Sequence, residues 1–281
     1  MGRVTDALKK VTDDRLEMIQ KKPGIQYVVK KVENTSIEEH IVAFHDPMSP
    51  ISEQYNTMRT NLQQLKKTKK YKTFIVTSSI NGEGKTVTST NLAMTIARDL
   101  NENSVLLLDA DMRKGRVAKY MGLSSSPGLS EYLSGEADVN DIMLNPGVEN
   151  CTVITSGKPK RNPSELLNSK KMKDLLSVLR KKYDFILIDT PPVVSMSDAC
   201  ILGPVSDAVI LVVQAGRTQR DMIKNAEKKI LQSGMKIAGF VMTKIEYHLP
   251  GYLSKYMQKY DGYYAYRKYS NDDIKQKEMV S

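Results

Sequence analysis

Six short apolar runs punctuate the chain, at Thr73–Thr77, Val105–Asp109, Thr152–Thr155, Phe185–Asp189, Ala208–Val213 and Ile237–Met242. Each is rich in β-branched or leucine residues and almost unbroken by polar ones, the pattern of a strand buried on both faces. Between them, apolar residues recur at steps of three and four, which predicts helices over 85–100, 164–182, 196–202 and 218–232. Strand alternating with helix predicts an α/β fold, a mostly parallel sheet with helices on both faces. A further helix is predicted over 51–65, where Tyr55, Met58, Leu62 and Leu65 share a face. Ahead of it, Val4, Leu8, Val11 and Leu16 suit a short amphipathic helix ended by Pro23-Gly24. Residues 24–50 mix an extended candidate at Tyr27-Val28-Val29 with a loop from Asp46 to Pro50. Three regions follow: an arm over 1–50 whose order the pattern leaves open, a core over 51–243, and a tail over 244–281. The tail holds eight of the fourteen tyrosines, Tyr247, Tyr252, Tyr256, Tyr260, Tyr263, Tyr264, Tyr266 and Tyr269, with few aliphatic residues beside them. Such a segment buries little and is expected to be mobile.

A chain of 281 residues that is 40% hydrophobic suits one large α/β domain with appendages. Its formal charge of +10 favours anionic partners, whether nucleotide, lipid headgroup or nucleic acid, without choosing among them. The densest basic stretch is Lys66-Lys67-Thr68-Lys69-Lys70, a solvated segment ahead of a strand on the simplest reading. Cys151 and Cys200 show neither metal spacing nor a disulfide framework, which fits a reducing compartment. No apolar run approaches the ~18 residues of a membrane span, and Met1 to Asp6 lacks the apolar segment of a secretory signal. The expectation is a cytoplasmic protein whose membrane attachment comes through a partner.

The chemistry concentrates after the first strand. Ser78-Ser79-Ile80-Asn81-Gly82-Glu83-Gly84-Lys85-Thr86 lies between a strand and a helix, the context of a phosphate-binding P-loop. Backbone N–H groups of Asn81 to Val87 can wrap a phosphate where side chains leave room, hence Gly82 and Gly84. The helix N-terminus adds positive potential. Lys85 is suited to β- and γ-phosphates, and the Thr86 hydroxyl to Mg²⁺. Ser79 stands where such loops usually begin with glycine. Two strands end in acids, one at Asp109-Ala110-Asp111 with Arg113 following, the other at Asp189-Thr190-Pro191-Pro192. Side by side, Asp109 and Asp189 would join Thr86 around Mg²⁺. Asp111, two residues beyond Asp109, would sit on the same side as a proton acceptor.

Taken together, these segments resemble the Walker A, Walker A′ and Walker B motifs of bacterial tyrosine kinases. Gly128-Leu129-Ser130-Glu131-Tyr132-Leu133, Ser156-Gly157-Lys158-Pro159 and Asn162-Pro163-Ser164-Glu165-Leu166-Leu167 add to the resemblance, which covers residues 51–243. It implies a P-loop NTPase of the deviant Walker A type, related to the MinD and ParA ATPases. It also implies an ATP- and Mg²⁺-dependent protein-tyrosine autokinase of capsule and exopolysaccharide export. Tyr260, Tyr263, Tyr264, Tyr266 and Tyr269 would accept the γ-phosphate from a neighbouring subunit. Lys85, Asp109, Asp111 and Asp189 would be the catalytic residues, and Thr86, Asp109 and Asp189 the metal ligands. The implied partners are a membrane adaptor (a polysaccharide co-polymerase), other copies in a ring, and a counteracting tyrosine phosphatase. Nucleic acid is not expected. The protein would then sit at the inner face of the membrane. The sequence departs from the family in three places. Ile80 stands where partitioning ATPases carry a second lysine, which favours the kinase branch over a ParA- or MinD-like positioning ATPase. Asn56 interrupts the Glu53 and Arg59 pattern of the ring helix, and Thr243 replaces the asparagine that often faces adenine.

Overall fold

The computed structural model describes residues 35–245. The helix expected over 1–22, the extended candidate at 27–29 and the tyrosine-rich tail lie outside them. All six strands form: β1 (Thr73–Ser78), β2 (Val105–Asp109), β3 (Cys151–Ile154), β4 (Phe185–Asp189), β5 (Ala208–Gln214) and β6 (Ile237–Thr243). They make a single parallel sheet in the order β3-β2-β4-β1-β5-β6. Because the pairing is parallel, every strand ends at the same edge, and the loops after β1, β2 and β4 meet there.

Alternate residues of each strand feed two cores, one on either face. On one face Ile75, Leu106, Leu108, Ile186 and Ile188 pack under α5 (Leu129–Ser134), α8 (Lys170–Lys182), α9 (Asp198–Leu202) and α10 (Arg220–Gln232). On the other, Phe74, Val76, Leu107, Phe185 and Leu187 pack under α2 (Pro50–Lys69), α3 (Lys85–Ala97) and α4 (Val117–Met121). The segment before α2 joins this second core. Ile37 and Ile41 are buried, and α1 (Val42–His45) is tied to α3 where Asn91 Oδ1 accepts the Ala43 N–H at 2.9 Å. Three strands, β1, β2 and β4, are buried throughout, β3 and β5 nearly so, and β6, at the edge, only half.

Several boundaries differ from expectation for local reasons. Helix α2 runs four residues past Leu65, so the lysine run is its last turn; cations there face the negative end of the helix dipole. Lys66 is not merely solvated, since its Nζ lies 2.6 Å from Asp184 Oδ1. The helix expected over 164–182 is two, α7 (Pro163–Asn168) and α8. The chain turns extended at Ser169, whose hydroxyl caps α8 by accepting the Met172 N–H at 3.2 Å. Helix α3 stops at Ala97 rather than Leu100, and the helix expected from Met196 begins at Asp198. The short helices α1, α4, α5 and α6 (Val139–Ile142) carry too few residues to show a period. Both cysteines are free thiols. Among the described residues no helix is long and apolar enough to cross a membrane.

At the amino end of the sheet, Asp207 accepts the N–H groups of Lys72 and Thr73 at 2.7 and 2.8 Å. Arg180 grips the same carboxylate with two bonds of 2.7 Å, fixing α8 to the start of β1.

Candidate active site

The loop from Ser79 to Gly84 joins β1 to α3 at the carboxyl edge. Gly84 is the residue before the helix and takes φ +92°, and Gly82 takes φ +84°. Any other residue there would be strained, so the loop's path depends on both glycines. Residue 85 is then the first of α3, which aims the helix N-terminus and its free N–H groups at the loop.

Parallel pairing of β2 with β4 sets Asp109 directly beside Asp189, and pairing of β1 with β4 sets Val76 beside Asp189. The expected grouping of Lys85, Thr86, Asp109, Asp111 and Asp189 therefore forms. The Thr86 hydroxyl donates to Asp189 Oδ2 at 2.7 Å. Lys85 Nζ lies 3.1 Å from Asp111 Oδ2 and 3.6 Å from Asp189 Oδ2. Burial works against the Lys85 ammonium, but the three nearby carboxylates outweigh it and hold its pKa above the usual range. Burial raises the pKa of both Asp109 and Asp189, and for Asp109 the adjacent Asp189 charge adds to the rise.

The two acids are bound differently. Asp109 Oδ1 accepts the Asp111 N–H and Oδ2 the Val117 N–H, each at 3.1 Å. Asp109 thus shapes the turn that carries Asp111, and β2 ends at Asp109 rather than running extended to Asp111. It is this turn that brings Asp111 to Lys85. Asp189 Oδ1, by contrast, is buried without a protein partner. A buried carboxylate oxygen left open beside a threonine hydroxyl and a phosphate loop fits a Mg²⁺ site, where water and phosphate supply the remaining oxygens. No cluster of three or more His, Cys, Asp or Glu residues suited to a metal occurs among the described residues.

The roles of several supporting residues, some of them within motifs already named, were not legible in the sequence. Arg113 pairs with the fully buried Asp198 and donates to Ser164 at 3.0 Å, tying the Asp111 turn to α7 and α9. Gly115 is required by crowding, since a Cβ there would stand 2.1 Å from Ser156 Oγ and 2.7 Å from Asp109 Oδ2. Glu131 accepts the N–H groups of Gly128 and Lys158 at 2.9 and 3.0 Å and the Ser126 hydroxyl at 3.0 Å. Burial opposes its charge, yet these donors hold its pKa down at about 2. It clamps the Ser156–Lys158 loop beside the site. The sequence offered Glu131 only within the segment Gly128 to Leu133 that adds to the family resemblance.

The three departures also find places. The Ile80 N–H donates to Glu83 Oε2 at 2.7 Å. Thr243 ends β6 and its hydroxyl donates to the Glu83 carbonyl at 2.6 Å. On α2, Asn56 donates to Glu53 at 2.9 Å, whereas Arg59 turns inward to the Thr95 carbonyl at 3.3 Å and Asp99 at 3.8 Å. The tyrosines expected as acceptors, Tyr260, Tyr263, Tyr264, Tyr266 and Tyr269, lie outside the described residues.

Comparison with known proteins bears on the family and the fold. A family model described as an AAA domain matches residues 71–232. The tyrosine-protein kinase YwqD of Bacillus subtilis is 33% identical over 237 residues, spanning 82% of this chain and 99% of the relative. The tyrosine-protein kinase CpsD of Streptococcus agalactiae is 36% identical over 194 residues, 69% of this chain and 83% of its own. Among solved structures, the kinase domain of the Escherichia coli tyrosine kinase ETK superposes with a TM-score of 0.69 at 27% identity, covering 84% of this chain and 89% of that one. The cell division ATPase MinD of Pyrococcus furiosus shares the fold alone, with a TM-score of 0.52 at 22% identity over 67% of this chain and 79% of its own.

Proposed function

The chain belongs to the bacterial tyrosine kinases, and from that premise we propose that it transfers the γ-phosphate of ATP to tyrosines of its own tail, chiefly in a neighbouring copy. The observation that carries the reading is the meeting of Thr86 and Lys85 on Asp189, with Asp111 on the same lysine, at the mouth of the phosphate loop. In this proposal the N–H groups of residues 81–87 cradle the phosphates and Lys85 leaves its acids to bind the β- and γ-phosphates. Mg²⁺, held by Thr86 and Asp189, would neutralise charge on the phosphate oxygens. Asp111 holds the incoming tyrosine hydroxyl and takes its proton as oxygen attacks phosphorus and the bond to ADP breaks. Asp109, with each oxygen accepting one backbone N–H group, serves mainly to fix that turn, and each oxygen keeps a lone pair through which it could also meet the cation.

The clustered tail tyrosines, Tyr260, Tyr263, Tyr264, Tyr266 and Tyr269, are the acceptors in this reading. Each phosphate adds nearly two negative charges, which gives repulsion between copies a route to loosen a ring. The same proposal places the protein at the inner membrane face through a polysaccharide-export adaptor, opposed by a tyrosine phosphatase. Phosphosite mapping of the full chain after incubation with ATP and Mg²⁺ tests it. Phosphotyrosine should appear in the wild type within 260–269 and be lost in Lys85→Met. Silence of the wild type with an adaptor fragment supplied, or unchanged phosphate in a variant with those tyrosines replaced by phenylalanine, overturns it.

A further inference from the structure

Glu83 sits in the middle of the phosphate loop, yet its side chain is wholly buried and pairs with no lysine or arginine among the described residues. Its carboxylate is satisfied by donors alone. Oε2 accepts the Ile80 N–H at 2.7 Å, and Oε1 accepts the Gln214 N–H at 3.2 Å together with the Thr218 hydroxyl. Its carbonyl oxygen accepts the Thr243 hydroxyl at 2.6 Å. One residue thus fastens the loop to the ends of β5 and β6 and to the turn leading into α10.

A negative charge beneath an anion-binding loop works against phosphate, and a buried apolar side chain would avoid that cost. The compensation is order. Two backbone N–H groups and a hydroxyl on one carboxylate fix the loop at residue 80 and hold it to the 214–218 turn. That turn is not remote from the ligand's side. Arg217 Nη1 lies 3.0 Å from where a Cβ on Gly82 would be, and donates to Gln214 Oε1 at 3.2 Å. Lys244 Nζ reaches both Gly82 O and Gln214 Oε1 at 3.4 Å. Two exposed cations thus stand beside the loop.

We propose that Glu83 is a positioning residue that presets the phosphate loop for nucleotide by bonding to Gln214 and Thr218, so that the 214–218 turn belongs to the nucleotide-binding unit. The inference rests on the nucleotide-binding part of the proposed function and not on the identity of the phosphate acceptor. A preset loop loses less conformational freedom on binding, so its loosening is read as weaker nucleotide affinity. For Thr218→Val, turnover at saturating ATP is expected to change less than affinity, because Thr218 bonds to Glu83 and to none of the reacting groups.

The test uses the full chain, with ADP–Mg²⁺ affinity by titration calorimetry, melting temperature, and phosphotyrosine formed at limiting and saturating ATP. Thr218→Val removes one donor to Glu83, and Thr218→Ser keeps it. Thr218→Val is expected to weaken ADP binding about tenfold and to raise the KM for ATP alike, with Thr218→Ser close to wild type. Glu83→Gln, which must set an amide N–H₂ against a backbone N–H, weakens binding at least as much. The double variant is no worse than Glu83→Gln alone, because both break one connection. Thr218→Val binding ADP within about twofold of wild type overturns the proposal, as do effects that simply multiply in the double variant. If Glu83→Gln fails to fold, the comparison of Thr218→Val with Thr218→Ser decides alone. A wild type that binds ADP but forms no phosphotyrosine sinks the kinase reading and leaves this one standing.

Discussion

Asp189 shows what the site costs. Its carboxylate is fully buried, meets Thr86 with one oxygen and leaves the other open, and its pKa lies above the usual carboxylate range because of that burial. A carboxyl that holds its proton more tightly folded than unfolded favours the fold at low pH. That advantage is lost as pH rises through the folded pKa. Asp189→Asn should therefore stabilise the nucleotide-free protein, with the gap in melting temperature over wild type wider at pH 8 than at pH 5. The same change should cut phosphotransfer about a hundredfold or more, measured as phosphotyrosine per minute at saturating ATP. Glu131 has the opposite sign. Its folded pKa of about 2 lies below the ordinary glutamate value, so its contribution is full above that ordinary value and fades as pH falls toward 2. Glu131→Gln should lower stability at pH 7 by about 1–3 kcal/mol in urea titrations, and the deficit should shrink in acid.

At the scale of elements, the helix boundaries are where the pattern of apolar residues was least informative. The stretch 164–182 keeps a helical period across Ser169, yet the chain breaks there, because a capping hydroxyl and an extended backbone let α7 and α8 take different directions. Ser169→Ala should cost about 1 kcal/mol by chemical denaturation. It should leave ADP affinity intact, since the bonds of Ser169 run to Leu166, Met172 and Lys173 and none joins it to the phosphate loop. The short helices α4 and α5 follow the same logic from the other side. Helix α4 starts where Asp109 catches the Val117 N–H, and α5 where Glu131 catches the Gly128 N–H. An acceptor at the end of β2 fixes the first and a capping glutamate within the helix the second, and no apolar period announces either.

For the molecule as a whole, the parallel sheet is the device that assembles the site. Its order puts β4 between β1 and β2, so one acid from each of two strands and the loop of a third converge at one edge. Nucleotide should stabilise this arrangement by mass action. ADP–Mg²⁺ at a hundredfold excess over its Kd should add about 2.7 kcal/mol, seen as a higher melting temperature, and Lys85→Met should abolish the shift.

The strands, the phosphate loop and the acid-ended β2 and β4 were legible because each is a local pattern: buried strands are continuous apolar runs, and a backbone cradle needs glycine. The family resemblance rested on the same local segments. What only the tertiary structure decided is which groups face each other. Nothing in the spacing of Glu83 and Thr218, or of Arg113 and Asp198, marks them as partners, since hydrogen bonds between distant segments leave no period in the chain. Nor could the sequence divide the work of Asp109 and Asp189, two acids at equivalent strand ends. Their division depends on the N–H groups that happen to surround each. Asp109 accepts two N–H groups of the turn it holds, and Asp189 keeps a buried oxygen without a protein partner.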